Sequence, residues 1–284
     1  MKKIVVLGCV GMAGHIAADH LSDFSDYEII GIARSEGKYV SYILDVTDFD
    51  VLEKLIKSIS PDYIVNCIGA LVSLSKSNIT TAIQINSYLP HFLAKLGSEL
   101  NFKLIHISTD CVFSGKTGGY KEDSFRDGDD NYARTKALGE VFDEKHLTIR
   151  TSIIGPELKT NGTGLLDWFL KQSNEISGYS KAYWSGVTTL ELAKAIHEYI
   201  KQDICGLHQL CPQDKVSKFE LLKIFSDVWG KSITIIENSS YSVDKSLVST
   251  RNDFDYSVPD YKFMLEELHE WMQARPDNYQ HYLK

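Results

Sequence analysis

Tyr132 and Lys136 have the residue types and the spacing for proton transfer. Residues four apart lie on one face of a helix, about one turn from each other. An ammonium roughly 4 Å from a phenol stabilises the phenolate by about 1 kcal/mol in water but by about 4 kcal/mol at an effective dielectric constant of about 20. The second value lowers the pKa of the phenol by about three units from its usual ~10. The pair is therefore predicted to do acid–base chemistry if it lies in a cleft, and to have no chemical role on a solvated helix face.

Three glycines near the amino terminus follow the short apolar run Lys3–Leu7 and open a helical pattern over Met12–Leu21. In such a strand–turn–helix context, glycines form the tight turn, let backbone approach a pyrophosphate and let helix and strand pack closely. Phosphates then lie at the helix N-terminus, where free N–H groups favour anions. A plain glycine-rich turn is the alternative interpretation; a signal peptide is not expected, because glycines interrupt the apolar run. We predict a dinucleotide site in the loose spacing Gly-x-x-Gly-x-x-Gly, involving Gly8, Gly11, Met12, Ala13 and Gly14.

The end of the second predicted strand bears on which dinucleotide is bound. An NAD site places an acidic residue about 20 residues after the glycines, whereas an arginine there accommodates the 2′-phosphate of NADP. Arg34 occupies this position, 20 residues after Gly14, and Ser35 follows it. A guanidinium suits a phosphate, which it binds through charge-assisted hydrogen bonds. NADPH is therefore favoured, while Glu36 leaves NAD open.

Composition limits the classes of function. The 284 residues are 43% hydrophobic, enough for one large core or one core and a smaller lobe. A net charge of −8 argues against nucleic-acid binding, and no apolar stretch reaches the ~18 residues of a membrane span. The cysteines are odd in number and scattered without metal-ligand spacing, so we expect no metal site and a reducing, cytoplasmic location. They are Cys9, Cys67, Cys111, Cys205 and Cys211.

Strands and helices alternate along the first half of the chain, which predicts an α/β fold with a Rossmann-type, doubly wound parallel sheet. Further strands are expected at Tyr27–Ala33, Ser41–Leu44, Tyr63–Cys67, Phe102–Ile107 and Leu147–Thr151. Helices are expected at Asp48–Ser58, Asn78–Leu100 (kinked by Pro90), Asn131–Lys145, Leu165–Gln172, Leu190–Lys201, Lys218–Trp229 and Tyr261–Ala274. We expect residues 1–154, rejoined by about 182–210, to form the NADP-binding domain. Residues 155–181 and 211–284 are expected to form a smaller C-terminal substrate-binding lobe.

Three segments have distinctive sequences. Residues 107–115 read Ile-Ser-Thr-Asp-Cys-Val-Phe-Ser-Gly, residues 120–123 read Tyr-Lys-Glu-Asp, and residues 131–140 read Asn-Tyr-Ala-Arg-Thr-Lys-Ala-Leu-Gly-Glu. They are similar to the segments Ser-Thr-Asp-Tyr-Val-Phe-x-Gly, Tyr-x-Glu and Tyr-Gly-x-Thr-Lys-x-x-Gly-Glu of the dTDP-4-dehydrorhamnose reductase group. From residue 1 to about 155 the chain thus resembles this group of extended short-chain dehydrogenases/reductases. Beyond that the resemblance is thin, with Thr188–Ala193 as the clearest remnant.

The resemblance implies a catalytic trio. Tyr132 would donate a proton to a substrate carbonyl, Lys136 would lower its pKa and hold the nicotinamide ribose, and Thr109 would orient the carbonyl oxygen. A strand-end hydroxyl of an open parallel sheet faces the crevice where ligands bind, which agrees with this role for Thr109. The resemblance also assigns cofactor contacts to Asp45 and Val46 at the adenine end, and to Cys67, Ile68 and Gly69 beneath the cofactor.

The resemblance further implies a substrate site at Thr109, Asp110, Cys111 and Ile153. The family has a tyrosine where this chain has Cys111 and a tryptophan where it has Ile153, which argues against dTDP-4-dehydrorhamnose itself. Trp168, Tyr183 and Trp184 are candidates for replacement stacking, with core packing as the alternative. We expect an NADPH-dependent reductase of a nucleotide-linked keto-sugar, chiefly a 4-keto-6-deoxy hexose, in deoxysugar or polysaccharide biosynthesis.

Two other classes of function stay open. The first is an epimerase or dehydratase on the same fold, although dehydratases of this superfamily carry an Asp-Glu pair where this chain has Asp110 followed by Cys111. The second is a non-catalytic, NADP-binding regulatory subunit, against which the intact Thr109, Tyr132 and Lys136 argue. A homodimer is also left open.

Overall fold

The computed structural model describes residues 1–282. The strands, in chain order, are β1 (Lys2–Leu7), β2 (Tyr27–Ala33), β3 (Val40–Ile43), β4 (Tyr63–Asn66), β5 (Lys103–Thr109), β6 (Leu147–Thr151), β7 (Ile153–Ile154), β8 (Glu175–Trp184), β9 (Val187–Thr188), β10 (Gly206–Gln209), β11 (Val216–Ser217) and β12 (Thr234–Asp244).

The helices are α1 (Met12–Leu21), α2 (Phe49–Ile59), α3 (Val72–Ser77), α4 (Ile79–Ala82), a π-helical segment (Ile83–Tyr88), α5 (Leu89–Leu100), α6 (Asn131–Leu138), α7 (Leu165–Lys171), α8 (Thr189–Lys201), α9 (Lys218–Val228), α10 (Tyr261–Gln273) and α11 (Pro276–Tyr279). Among residues 1–282, none of these helices has both the length and the apolar character to cross a membrane.

Seven parallel strands form the central sheet in the order β10-β6-β5-β4-β1-β2-β3. The chain builds outward from β1 to β3 and then returns to build the other half from β4. The direction of winding therefore reverses between β1 and β4, and ligands of such sheets bind at the carboxyl ends of the strands at this point. The predicted doubly wound, Rossmann-type α/β fold is confirmed.

Alternate residues of β1 pack into the two layers of core that cover the sheet. Ile4 and Val6 face a cluster that includes α1 and α8, whereas Val5 and Leu7 face α2 and α5. All four side chains are fully buried. A strand covered on both faces needs apolar residues at every position, which explains the unbroken run in the sequence.

The helix with Tyr132 and Lys136 is shorter than predicted. It ends at Leu138 rather than Lys145 because the chain turns inward at Glu140. The buried Glu140 carboxylate accepts hydrogen bonds from Arg150 Nε (2.9 Å) and Nη2 (2.8 Å) of β6. This long-range ion pair fixes the connection to β6.

The predicted helix Asn78–Leu100 is present, but its irregular part precedes Pro90. Residues 83–88 form π-helical turns between α4 and α5, and Pro90 lies in the first turn of α5. Proline has no N–H to donate to the carbonyl four residues before it, so a wider turn at this place leaves the helix intact.

Two long strands of the second half were not predicted. β8 and β12 pair in parallel, and β11 joins β8 in the antiparallel direction, which makes a three-stranded sheet. Both strands mix polar and apolar residues and leave much of one face exposed, so the sequence shows no apolar run there. β10 and α8 belong to the main sheet and its covering layer, while the domain boundaries themselves stay a prediction.

Candidate active site

A cavity of about 560 Å³ opens where β1, β2 and β4 end. Most residues predicted to hold the cofactor line it, namely Gly8, Gly11, Met12, Arg34, Ser35, Asp45, Val46, Cys67, Ile68 and Gly69. Further residues that were not predicted from the sequence also line the cavity, namely Val10, Ala33, Leu44, Leu74, Ile85 and Glu157–Lys159. Glu157–Lys159 come from the loop after β7, so no local pattern links them to the glycines.

The glycine turn has the close packing that a dinucleotide loop requires. Gly8 has a φ of +80°, which favours glycine. A Cβ atom on Gly14 would lie 2.2 Å from the Gly8 carbonyl oxygen, so this glycine allows α1 to touch the turn. Gly14 and Ala13 are buried and do not line the cavity; their predicted part in binding is therefore indirect.

Arg34 and Ser35 lie at the exposed mouth of the cavity, next to Asp45. Hydrogen bonds from the backbone and hydroxyl of Thr47 lower the pKa of Asp45, and the charge of Arg34 adds to this effect. Glu36, the residue that left NAD open, is exposed beside them. The mouth thus carries a guanidinium accessible to a phosphate.

The predicted trio gathers at the carboxyl end of β5. Thr109 is the last residue of β5, and its hydroxyl donates to Asp110 Oδ1 (3.1 Å) and accepts from Cys111 N (3.1 Å). Tyr132 is half-buried in the first turn of α6, close enough to Thr109 for their hydroxyls to interact. Lys136 is buried one turn later and donates to the Ile107 carbonyl (2.7 Å).

The electrostatics of the Tyr132 phenol differ from the expectation. Burial raises its pKa, the nearby Cys111 would raise it further where its thiol is ionised, and the Thr109 hydroxyl lowers it. Lys136 is not among the largest causes of this shift, and its ammonium donates to the Ile107 carbonyl. The role of Lys136 in lowering the pKa of Tyr132 stays a prediction. Burial in turn lowers the pKa of Lys136 to about 8.

Two residues of the π-helical segment position α6. The Asn86 amide bonds to the Ala70 backbone (2.8 and 2.9 Å) and to Thr135 Oγ1 (3.1 Å), and Ser87 Oγ donates to the Thr135 carbonyl (2.7 Å). Both side chains are buried. The sequence gives no sign of this role, because it depends on how two helices pack.

A second cavity, of about 760 Å³, lies beyond β5 and is walled by the C-terminal part of the chain. Asp110 and Cys111 line it, together with the aromatic candidates Trp168, Tyr183 and Trp184. Ile153 is not among the residues that line this cavity: its side chain packs against the main core while β7 pairs with β9, and the neighbouring Ser152 lines the cavity. A contact between Ile153 and the substrate stays a prediction.

Two lysines that the sequence analysis missed, Lys218 and Lys245, also line this cavity. Burial lowers the pKa of Lys218 to about 8, against the charge of Asp110, and its Nζ lies 5.0 Å from the Trp184 ring centroid. Burial raises the pKa of Asp110, while both lysines lower it. The capping motif Ser217-x-x-Glu220 marks the start of α9, but nothing local shows that Lys218 faces a cavity.

Residues 1–244 match the model of a family described as the RmlD substrate binding domain. The chain belongs to this family. A dTDP-4-dehydrorhamnose reductase of Aggregatibacter actinomycetemcomitans is 30% identical over 158 residues, covering 54% of this chain and 51% of that protein. The alignment thus spans about half of that relative's length.

Solved structures show the same fold over nearly the whole chain. A hypothetical dTDP-4-dehydrorhamnose reductase from Sulfolobus tokodaii is 26% identical, with a TM-score of 0.79 over 92% of this chain and 98% of that one. A dTDP-4-dehydrorhamnose reductase from Bacillus anthracis in complex with NADP is 20% identical, with a TM-score of 0.81 over 97% and 100%. The family expected from the sequence motifs is confirmed.

Proposed function

We propose that this protein is an NADPH-dependent reductase of a nucleotide-linked keto-sugar, chiefly a 4-keto-6-deoxy hexose, in deoxysugar or polysaccharide biosynthesis. The observation that carries the proposal is the placement of Thr109, Tyr132 and Lys136 at the end of β5. Asp110, which follows Thr109, lines the second cavity, and the residues that follow the neighbouring strand β4 line the glycine-lined cavity. Membership of the reductase-containing family supports the same chemistry.

The residues of the trio have separable roles. Tyr132 holds the proton that passes to the carbonyl oxygen of the sugar. The Thr109 hydroxyl turns from Asp110 to the substrate and donates a hydrogen bond that orients this oxygen. Lys136 supplies positive charge beneath the phenol and holds the nicotinamide ribose. NADPH, when bound, supplies the hydride.

The proposed cofactor site fits NADPH in two respects. The Gly8–Gly14 packing leaves no room for side chains at the turn, as phosphate binding at the start of α1 requires. Arg34 presents a guanidinium at the mouth, where the 2′-phosphate of NADP would lie. NAD remains the alternative that a direct comparison of affinities decides.

The proposed substrate site fits an anionic, aromatic-bearing molecule. Lys218 and Lys245 bring positive charge to the second cavity, and Trp168 and Tyr183 bring ring faces to its wall. A nucleotide-linked sugar has phosphates for the first pair and a base for the second. Asp110 is placed to accept a hydrogen bond from a sugar hydroxyl.

The test is to incubate the protein with NADPH and a panel of nucleotide-linked 4-keto-6-deoxy sugars while following the absorbance of the reduced nicotinamide. Stoichiometric oxidation of NADPH with formation of the hydroxy-sugar is the expected result. Conversion of a sugar nucleotide with no net oxidation of NADPH indicates the epimerase or dehydratase instead. Tight NADPH binding without turnover of any member contradicts the reductase and favours a regulatory subunit.

We also propose a homodimer that works in the cytoplasm. The exposed apolar side chains between β4 and α5 (Leu71, Val72, Ile79, Ile83 and Tyr88) are a candidate contact face. The cysteines are free thiols throughout the described residues, as a reducing compartment requires. Light scattering after size exclusion tests the dimer: a wild-type mass near 32.0 kDa contradicts it, and Ile83→Glu is expected to shift a dimer towards the monomer.

A further inference from the structure

A buried chain of hydrogen bonds runs from the floor of the cofactor cavity to Lys136. The backbone N–H of Ile68 donates to Asn66 Oδ1 (3.1 Å), the Asn66 amide nitrogen lies 3.2 Å from His106 Nδ1, and His106 Nε2 lies 3.3 Å from Lys136 Nζ. Asn66 and His106 are fully buried. Neither residue has a part in the mechanism given above.

The backbone N–H of Ile68 determines which atoms donate and which accept along this series of hydrogen bonds. A backbone N–H only donates, so the atom that faces Ile68 must be the amide oxygen of Asn66. The amide nitrogen of Asn66 then donates to His106 Nδ1, which must accept. A neutral imidazole that accepts at Nδ1 carries its proton at Nε2. Burial and the charge of Lys136 hold the pKa of His106 well below its usual value, so the ring is neutral.

The Nε2–H group of His106 therefore points at Lys136. An ammonium has three donors and no acceptor, so it meets this N–H as a second donor, whereas a neutral amine has a lone pair that accepts it. We propose that His106, locked in its Nε2–H tautomer by Asn66 and Ile68, is a positioning residue that favours the amine over the ammonium form of Lys136.

Other titratable groups around Lys136 raise its pKa, or are themselves paired with groups of opposite charge. Glu140, one turn further along α6, and Cys67, after β4, both raise the pKa of Lys136. Glu140 is itself paired with Arg150 and Arg126. His91 of α5 acts on His106 rather than on Lys136. His106 is thus the neighbour whose hydrogen-bonding state opposes the ammonium.

The consequence for catalysis rests on the proposed function. In the proposed mechanism the ammonium of Lys136 is the active form. Turnover should therefore fall as the pH rises through the pKa of Lys136, which burial lowers to about 8. A lysine that titrates near neutral pH exchanges protons readily. This property suits a group beside Tyr132, because the tyrosine must be reprotonated in each turnover. We therefore expect His106, in addition to burial, to lower the pH at which activity is lost.

Asn66→Asp reverses the hydrogen bond between residue 66 and His106, with almost no change in the shape of the side chain at position 66. One carboxylate oxygen still accepts from Ile68, but the other accepts from His106 where the amide donated. The imidazole must then carry its proton at Nδ1, which frees Nε2 to accept from the ammonium. We expect the alkaline limb of the kcat profile to move up by about one to two pH units, the scale of one hydrogen bond to a charged group. His106→Gln, which adds no charge and offers an oxygen acceptor, is expected to move it in the same direction.

His146→Gln is the matched control. His146 is also buried and bonds to backbone at both ring nitrogens, through Leu104 N (3.0 Å) and the Ala94 carbonyl (2.8 Å), without a link to Lys136. Its loss tests the general cost of removing a buried imidazole. An unchanged alkaline limb in this variant and shifted limbs in the other two are the expected pattern.

Nitrogen NMR of protein labelled with ¹⁵N-histidine tests the tautomer without any turnover, and therefore separately from the proposed function. The His106 resonances are assigned by their loss in His106→Gln. In the wild type we expect a protonated Nε2 and an unprotonated Nδ1. In Asn66→Asp we expect a protonated Nδ1 and an unprotonated Nε2. A wild-type His106 protonated at Nδ1 overturns the proposal. Alkaline limbs that coincide in wild type, Asn66→Asp and His106→Gln also overturn it.

Discussion

At the scale of single residues, the proposed function makes the Tyr132 hydroxyl the proton donor and the Thr109 hydroxyl the donor that orients the carbonyl oxygen. Tyr132→Phe keeps the ring but removes the proton, so we expect turnover to fall by at least about 10²-fold with NADPH affinity nearly unchanged. Thr109→Val is expected to cost about 10²–10³-fold in kcat, and Lys136→Met to weaken both turnover and NADPH binding.

Steady-state kinetics and a fluorescence titration with NADPH measure these effects. Tyr27→Phe is the control, because this phenol bonds to His197 (3.1 Å) at the amino-terminal end of β2, away from both cavities. A Tyr132→Phe protein that reduces a keto-sugar at the wild-type rate removes the basis for the catalytic assignment.

Arg34 is expected to select the cofactor. Arg34→Ala removes the guanidinium at the cavity mouth and should weaken NADPH binding by about 1–3 kcal/mol, or roughly 5- to 150-fold, with little effect on NADH. Glu36→Ala is the control at the same mouth and should not weaken NADPH binding. Equal losses for both cofactors in Arg34→Ala, or tighter binding of NADH by the wild type, contradict the assignment.

At the scale of elements, the contact between α1 and the turn after β1 depends on Gly14. A methyl group there overlaps the Gly8 backbone, so Gly14→Ala should reduce the free energy of unfolding by about 1–3 kcal/mol. It should also weaken NADPH binding, because the turn must shift. A Cβ added at Gly69, by contrast, would have no neighbour nearer than 3.8 Å, so Gly69→Ala should retain the wild-type stability. Urea unfolding of the two variants provides the comparison, and equal stabilities would show that the turn adapts freely.

At the scale of the whole molecule, the C-terminal segment with Arg275 and Tyr279 is hydrogen-bonded to α1, the helix that follows the glycine turn. His15 of α1 contacts the Gly11 carbonyl through Nδ1 (2.8 Å) and the fully buried Tyr279 hydroxyl through Nε2 (2.8 Å). Asp19, also in α1, bonds to Arg275, Tyr39 and Lys38. The end of the chain therefore holds α1 in place.

The hydrogen bonds of Asp19 make the free energy of unfolding depend on pH. Burial raises the pKa of Asp19, but hydrogen bonds from Tyr39, Lys38 and Arg275 outweigh it and lower the pKa below 3.8. The stabilisation is present above the unfolded-state pKa and is lost as the pH falls through the folded-state value. Asp19→Asn should therefore cost about 1.5–3 kcal/mol at pH 7, and the difference from wild type should shrink below about pH 4. Urea unfolding at several pH values measures it, with the exposed Asp23→Asn as control; a cost independent of pH excludes the ionic explanation.

Local patterns in the sequence were sufficient for the first half of the fold and for much of the cofactor site. A strand buried on both faces, a glycine turn and a helix each depend on neighbours within about ten residues, and the spacing of Tyr132 and Lys136 needs only the period of a helix. The bounds of β2, β6 and α1 match the predicted ones for this reason.

The rest was decided by contacts between side chains of different elements, at spacings that no periodic pattern fixes. Glu140 ends α6 early because it pairs with Arg150, Lys218 reaches the second cavity because α9 packs beside β8, and His106 meets Lys136 because β5 lies under α6. Hydrogen bonds and burial of this kind follow from the three-dimensional packing and leave no periodic signal in the chain. The sequence alone thus determined the family and the main parallel sheet and predicted the trio Thr109, Tyr132 and Lys136, whereas tertiary structure decided the charges and partners around that trio.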